Sequence, residues 1–239
     1  MVEWLLAPID AGRAHLVDGA LAWHGRFMVA AWGLLLPLGV LVARFFKVLP
    51  WQDWPRETDN RLWWHAHLWL QYSGGILMLA GLSTLMVGHG WHGIAHPHAL
   101  LGYLVLALGA VQFAAGWLRG SKGGPTAAIL RGDHYDMTSR RRIFEYLHKS
   151  LGYIALLLAC AAILSGLWLA NAPRWMWLVI LGWWALLGTM FVILQRQGRA
   201  IDTYQAIWGP DLDHPGNLAR PIGWSVRRLP LTNPPENQG

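Results

Sequence analysis

Four histidines near the ends of strongly apolar segments carry the clearest chemical signal in this chain: His24, His67, His98 and His148. An ionisable side chain inside a membrane costs about 3 kcal/mol, so such a residue marks a functional site by default. Neutral imidazole is also the commonest metal ligand among side chains. Because the four histidines lie in separate segments and alternate between the two membrane faces, we predict two pairs of axial haem ligands.

Other metal chemistry fits this placement less well. A single tetrahedral zinc or copper site needs its ligands together, whereas histidines at opposite faces of a membrane cannot meet. Two axial histidines leave haem iron without an open position, which favours electron transfer over oxygen binding or activation. Each imidazole must then be neutral, and its second ring nitrogen is expected to donate to a carbonyl, a side chain or water.

The elements that position these histidines are five apolar segments, each long enough for the roughly 20 residues that cross a bilayer. They cover residues 20–44, 62–87, 98–118, 147–169 and 174–195. The 239 residues are 54% hydrophobic and 13% charged, and a soluble alternative would need five consecutive helices that are apolar on nearly every face. We therefore predict an all-α integral membrane protein with five transmembrane helices, the first four forming a haem-binding bundle.

This fold divides the chain into an outer N-terminal segment 1–19, a transmembrane domain 20–196 and a cytoplasmic tail 197–239. The N-terminal residues are too acidic and too weakly apolar for a cleaved signal peptide, so the first helix is expected to direct insertion. The single cysteine, Cys160, excludes an intramolecular disulfide and a cysteine-rich metal site. Aromatic and turn residues in 199–217 predict an ordered cytoplasmic cap, and the polar, proline-rich end of the chain is expected to be disordered.

The distribution of charge predicts the orientation. Of the 19 lysines and arginines, sixteen lie on one side of the membrane, and the N-terminal side of the first helix has three, Arg13, Arg26 and Arg174. Because cytoplasmic loops carry the excess of positive residues, we predict a multi-pass protein of the cell (inner) membrane with its N-terminus outside and its C-terminus in the cytoplasm. The net charge of +6 is thereby explained by membrane topology, and no nucleic-acid partner is expected.

The second span offers a choice of histidine. His65 and His67 point about 200° apart on a helix, so one side of a bundle cannot use both. The face of His67 continues through Gln71, Gly74 and Gly75, whereas the face of His65 continues through bulky residues. His67 is therefore the predicted ligand, and His65 is predicted to be interfacial.

The third span poses a similar choice between His96 and His98, which Pro97 separates. Proline is tolerated in the first turn of a helix, so the helix is predicted to begin near Pro97, with His98 inside it and His96 in the loop. In the first span His24 is the only candidate.

Small residues follow two of the histidines at helical spacing. From His148 the same helix face continues through Gly152, Ala155, Ala159, Ala162 and Gly166. From His98 it includes Gly102, Gly109 and Gly116, with Gln112 between them. Such stripes leave room for a flat, wide cofactor, and the alternative is close helix–helix packing. A histidine at the head of each stripe favours the cofactor.

The order of the spans determines which histidines can pair. The first and third spans carry His24 and His98 near their outer ends, and the second and fourth carry His67 and His148 near their inner ends. We therefore predict an outer haem between His24 and His98 and an inner haem between His67 and His148. A hydrocarbon core about 30 Å thick would separate the two irons by roughly 20 Å along the membrane normal.

These residues resemble a known family, the cytochrome b561 superfamily, and in particular its bacterial and DOMON-associated members. The run 24–44 is similar to the first core helix of that family, and three later motifs match in order and spacing: HLWLQ (67–71), HALLGY (98–103) and HKSLGY (148–153). The resemblance covers roughly residues 20–170 and implies two b-type haems, each with two histidine ligands, and transmembrane electron transfer. About 20 residues precede the core, so no DOMON domain is expected.

Three functions follow from these expectations. The first is a di-haem oxidoreductase that moves electrons between a cytoplasmic-side and an outer-side partner, each being a small reductant, a quinone or ferric iron. The second is a membrane anchor subunit that passes electrons from a periplasmic dehydrogenase or cytochrome to quinone. The third is a non-redox structural membrane protein. A homodimer and a subunit of a larger complex are both compatible with the sequence.

Two weaker signals concern side chains outside the predicted haem sites. The outer-loop histidines His89, His92 and His96 could hold a metal or contact an electron acceptor, although polar residues at an interface are the simpler interpretation. The basic run 140–142 could bind an anionic donor such as ascorbate, as basic residues do in animal and plant relatives. The same charges also follow from membrane orientation alone.

Overall fold

A computed structural model describes residues 1–90, 96–125 and 131–232 of the chain. Five of its helices are long and apolar enough to cross a membrane: Gly19–Phe45, Leu62–His89, Pro97–Trp117, Ser139–Leu169 and Arg174–Arg196, called the first to fifth spans below. Shorter helices cover Val2–Leu6, Thr203–Trp208 and Pro215–Leu218. Over the described ranges, β structure is limited to isolated bridges. The chain is an all-α integral membrane protein, as its apolar segments predict.

The fourth span begins at Ser139 rather than near residue 147. The hydroxyl of Thr138 accepts a hydrogen bond from the backbone N–H of Arg141 at 3.3 Å and so caps the helix start. One turn later the Arg141 guanidinium pairs with Glu145 at 2.9 Å. The basic run 140–142 therefore forms the first turns of this helix, since local capping and pairing at helical spacing extend it beyond its apolar part.

The first span is not a regular α-helix, because residues Val29–Leu35 form a π-helical segment. Two residues beyond this segment lies Pro37, which has no N–H, so the carbonyl of Gly33 loses its usual helical donor. The indole N–H groups of Trp183 and Trp184 in the fifth span donate to that carbonyl at 3.0 and 3.4 Å. The fifth span thus satisfies a backbone group that would otherwise be unpaired in hydrocarbon.

The chain forms two compact units. The first comprises Met1–Val40, Leu68–Gly109 and Tyr153–Val192, and the second comprises Leu41–His67, Ala110–Gly152 and Ile193–Gly239. His24 and His98 belong to the first unit, whereas His67 and His148 belong to the second. Each unit therefore contains one of the histidine pairs that the order of the spans predicts.

The small residues of the fourth span have two roles in the first unit. Ala155, Ala159 and Ala162 are buried in the hydrophobic core together with Trp32 and Met78. Their small size allows close helix packing, which is the alternative considered for this stripe. Gly166, at the far end of the stripe, instead contacts the ring of His98.

In the second unit, residues 199–232 form an ordered segment, called the C-terminal cap below. Tyr204 and Gln205 are buried within it. Three basic side chains from outside the cap donate to its backbone carbonyls: Arg44 to Trp224 at 2.7 Å, Lys47 to Ile201 at 2.8 Å and Lys149 to Ile222 at 2.6 Å. Of these three carbonyls, that of Ile201 lies within 199–217, the stretch predicted to form an ordered cap, and residues 233–239 lie outside the described part of the chain.

Candidate functional site

His24 and His98 approach each other in the first unit. Their ring centroids are 6.3 Å apart and their planes are nearly perpendicular, at 89°. A metal ion that bonds two imidazole nitrogens from opposite sides at about 2 Å each keeps the ring centroids about 6 Å apart. The two rings therefore have the separation that a shared axially bound metal requires.

The second ring nitrogen of each of these histidines meets a backbone carbonyl. Nδ1 of His24 lies 2.9 Å from the carbonyl oxygen of Gly81, and Nδ1 of His98 lies 2.9 Å from that of Ala162. A carbonyl oxygen only accepts hydrogen bonds, so Nδ1 carries the proton in both rings. The lone pair of each neutral imidazole is then on Nε2, which is the arrangement found for metal-ligating histidine.

Glycine residues beside His98 make room for its ring and for a flat group next to it. A Cβ atom on Gly166 would lie 2.8 Å from Cε1 of His98, so a larger residue at this position would displace the ring. A Cβ atom on Gly102, one turn after His98, would have no neighbour within 4 Å. The chemistry of the donor atoms, their separation and these glycines fit a haem between His24 and His98.

His67 and His148 both belong to the second unit, and both side chains are half-buried. His148 packs against Phe144, with ring centroids 5.1 Å apart, and its Nδ1 lies 2.8 Å from the side-chain amide of Gln112. The ring of His67 lies 6.1 Å from that of Trp64. The donor chemistry of these two imidazoles is the kind that binds haem iron.

The two histidines not predicted as ligands occupy different environments. His65 is exposed, and on the same face Trp69 is 75% exposed, as expected of a surface that faces lipid. His96 is half-buried, and its Nδ1 accepts a hydrogen bond from the backbone N–H of Ala99 at 3.3 Å. His96 therefore caps the start of the third span, which begins at Pro97 as predicted.

A buried ionic cluster in the second unit was not predicted as a site. Glu145 is 3% exposed and pairs with Arg141 at 2.9 Å and with Lys149 at 2.6 Å. Nε2 of His134 lies 3.7 Å from the same carboxylate and makes no hydrogen bond within the described residues. Burial and the charge of Arg141 lower the pKa of His134 to about 3, so its imidazole is neutral. The four-residue spacing of Arg141, Glu145 and Lys149 is the sequence signal that could have revealed the cluster.

The weaker candidates are dispersed in the structure. Arg141 is buried against Glu145, whereas Arg140 donates to the carbonyl of Leu118 at 2.9 Å and Arg142 is exposed. These side chains therefore do not converge on one anion site. Nε2 of His89 lies 2.7 Å from the carboxylate of Asp18. His92 lies outside the described residues, and the described ones contain no group of three or more side chains that could hold a metal ion.

The fold defines a class, the all-α integral membrane proteins, and in this chain each of its two compact units contains two of the four histidines predicted as ligands. Comparison with known proteins agrees. The chain is 29% identical over 144 residues to a cytochrome b561, DM13 and DOMON domain-containing protein of Arabidopsis thaliana, covering 60% of this chain and 14% of that protein. It is 30% identical over 164 residues to ferric-chelate reductase 1 of Homo sapiens, covering 67% of this chain and 24% of that protein.

A further relative is a cytochrome b561 and DOMON domain-containing protein of Arabidopsis thaliana, 25% identical over 194 residues, which are 77% of this chain and 42% of that protein. The chain belongs to the cytochrome b561 family, as its four histidine motifs predict. It spans between 14% and 42% of the length of these three relatives. No family model matches the chain, and no solved structure matches it.

Proposed function

We propose that the chain is a two-haem b-type cytochrome that carries electrons across the membrane, with His24 and His98 binding the outer haem and His67 and His148 the inner one. The observation that carries this proposal is the approach of His24 and His98 at the separation of a shared axial metal, with both Nδ1 atoms on carbonyls. Membership in the cytochrome b561 family supports haem b as the cofactor.

Haem b, when bound, supplies a one-electron iron couple. The residues of the chain would hold and orient it. The carbonyls of Gly81 and Ala162 fix the Nδ1–H tautomer of His24 and His98, which leaves the Nε2 lone pair of each ring available to bind the iron. A haem held between two imidazoles would have no open position for oxygen, which suits electron transfer.

The donor and the acceptor are proposed by chemical class. A small reductant or a quinol on the cytoplasmic side would supply electrons to the inner site, given the orientation that the charge distribution predicts. Ferric iron on the outer side is the proposed acceptor, a choice supported by the name of the human relative, ferric-chelate reductase 1. Each ferric ion takes up one electron to become ferrous, and the donor replaces that electron by losing one.

A second candidate is a membrane anchor subunit that passes electrons from a periplasmic dehydrogenase or cytochrome to quinone. It is favoured by relatives whose names combine cytochrome b561 and DOMON domains in one polypeptide. In sealed vesicles, quinone reduction by a donor on the outer side would support this candidate over the first.

Haem content of matched histidine variants tests the ligands. We expect His98→Ala and His67→Ala each to lose one of two haems in a pyridine haemochrome assay. His96→Ala and His65→Ala, two residues away in the same spans, should keep both. Two haems in His98→Ala would contradict the outer pair, and two haems in His67→Ala would contradict the inner pair.

Transfer across the membrane is tested with protein in sealed vesicles that hold ascorbate inside and ferric citrate outside. Ferrous iron should form outside with the wild-type protein and not with His67→Ala or His98→Ala. Ferrous iron formed at the wild-type rate by either variant would show that electrons do not pass through the proposed haem pair.

A further inference from the structure

The side-chain amide of Gln112, in the third span, lies against His148 of the fourth span. In the orientation that gives each amide atom a complementary neighbour, the nitrogen lies 2.8 Å from Nδ1 and 3.1 Å from the carbonyl oxygen of His148, and the oxygen accepts from the N–H of Gly152 at 3.2 Å. A Cβ atom at position 152 would lie 3.6 Å from the nearer amide atom of Gln112, which is an ordinary van der Waals contact. Gln112 is thus a polar side chain in a hydrophobic span, directed at a predicted ligand.

The contact between His148 and Gln112 differs in kind from the contacts that His24 and His98 make. Nδ1 of His24 and Nδ1 of His98 face carbonyl oxygens, which only accept hydrogen bonds. A glutamine amide can present either its oxygen or its nitrogen to the ring of His148. The tautomer of His148 therefore depends on a side chain that can turn, whereas the tautomers of His24 and His98 depend on backbone that cannot.

Ligation determines which end of the amide must face the ring. An imidazole that binds iron through Nε2 carries its proton on Nδ1, and that N–H needs an acceptor. The carbonyl of His148 and the N–H of Gly152 are four residues apart in one helix and pair with each other. When the amide group of Gln112 rotates by 180° about the Cγ–Cδ bond, it therefore loses only its contacts with these two backbone groups, which already pair with each other.

We propose that Gln112 is the positioning residue of the inner site, and that its Oε1 accepts the Nδ1–H of His148 and so holds the ring in the metal-binding tautomer. This inference rests on the proposed function, in which His148 binds the inner haem. The third span then serves both sites, since it supplies His98 as an outer ligand and Gln112, fourteen residues later, as the partner of an inner ligand.

The strength of this hydrogen bond tunes the inner site. An acceptor at Nδ1–H makes the imidazole a more basic ligand, which stabilises ferric relative to ferrous iron and lowers the reduction potential. Gln112→Leu removes the acceptor and should raise the potential of one haem. Gln112→Glu offers a stronger acceptor and should lower the potential of the same haem. Opposite shifts from two substitutions at one position are not expected from a general packing defect.

The test is a spectroelectrochemical titration of the wild-type protein, Gln112→Leu and Gln112→Glu. The control is Ser83→Ala, because Ser83 is also a polar residue within a span but is exposed, and its hydroxyl donates to the backbone carbonyl of Leu79 at 2.9 Å. The variants His148→Ala and His98→Ala identify which of the two haems each midpoint belongs to. We expect the two Gln112 variants to shift only the midpoint that His148→Ala removes, and Ser83→Ala to shift neither.

Three results would overturn the inference: unchanged midpoints in both Gln112 variants, shifts of both variants in one direction, or shifts of the haem that His98→Ala removes. Loss of both haems from both Gln112 variants would also overturn it, since Gln112 would then support the fold rather than one ligand. Selective loss of the inner haem from Gln112→Leu, with retention in Gln112→Glu, would support it. Two haems in His148→Ala would instead refute the proposed function.

Discussion

Gly166 of the fourth span lies directly against the ring of His98 in the third. A Cβ atom at position 166 would come within 2.8 Å of Cε1 and 3.2 Å of Nδ1 of that ring. Real Cβ atoms do not tolerate the shorter distance, so a side chain at 166 must move the imidazole. The orientation of the predicted outer ligand therefore depends on a glycine 68 residues away in the sequence.

Gly166→Ala should weaken or abolish binding of the outer haem and leave the inner haem in place, because the displaced ring loses its carbonyl partner Ala162. Haem content and the redox difference spectrum measure this. Gly182→Ala in the fifth span is the matched control, since a Cβ atom there meets nothing within 4 Å. Wild-type haem content and spectrum in Gly166→Ala would contradict the prediction.

Trp183→Phe should lower the stability of the protein by about 1 kcal/mol, because it removes the indole N–H that donates to the carbonyl of Gly33. The double variant with Trp184→Phe removes the second donor and should cost more. Thermal unfolding in detergent measures the difference. The control is Trp177→Phe, whose indole N–H has no acceptor in the described part of the chain. Equal losses in Trp177→Phe and Trp183→Phe would refute the role of the Gly33 bond.

Stability should rise with pH on the alkaline side because of Lys47. Burial, followed by the charge of Lys149, lowers the pKa of Lys47 from 10.5 to about 7. Between these values the unfolded chain keeps a proton that the folded chain has released, so the free energy of unfolding increases with pH in this window and is independent of Lys47 outside it. Lys47→Met should lose this increment. Denaturant titrations from pH 6 to pH 11 measure it, and parallel curves for the two proteins would contradict it.

Arg228→Met should loosen the C-terminal cap. Its guanidinium pairs with the buried carboxylate of Asp202 at 2.6 Å, and removing one partner of a buried ion pair costs about 3 kcal/mol or more. We expect chymotrypsin to cut after Tyr204 or Trp208 much faster than in the wild-type protein. Arg220→Met, which changes an exposed arginine, is the control. Wild-type resistance of Arg228→Met would show that the ion pair does not hold the cap.

Several features followed from local sequence alone. The five spans were predicted correctly, because about 20 consecutive apolar residues have few alternatives to a helix in hydrocarbon. The family was predicted correctly from the order and spacing of the four histidine motifs. The start of the third span at Pro97 was also predicted, since a proline in a first helical turn is a local signal. The four haem ligands and their two pairings remain predictions, although the structure brings His24 close to His98 and places His67 and His148 in one compact unit.

Other features depend on contacts between residues far apart in the chain. The group that faces each Nδ1 (the carbonyl of Gly81, the carbonyl of Ala162 or the side-chain amide of Gln112) comes from a different helix, so helical spacing within one span cannot identify it. The same holds for the backbone carbonyls that accept hydrogen bonds from Arg44, Lys47 and Lys149. The sequence by itself determined which residues cross the membrane and which could bind metal. Only the packing of the helices determined which backbone or side-chain group orients each of those residues, because many chemically equivalent groups are available in the chain.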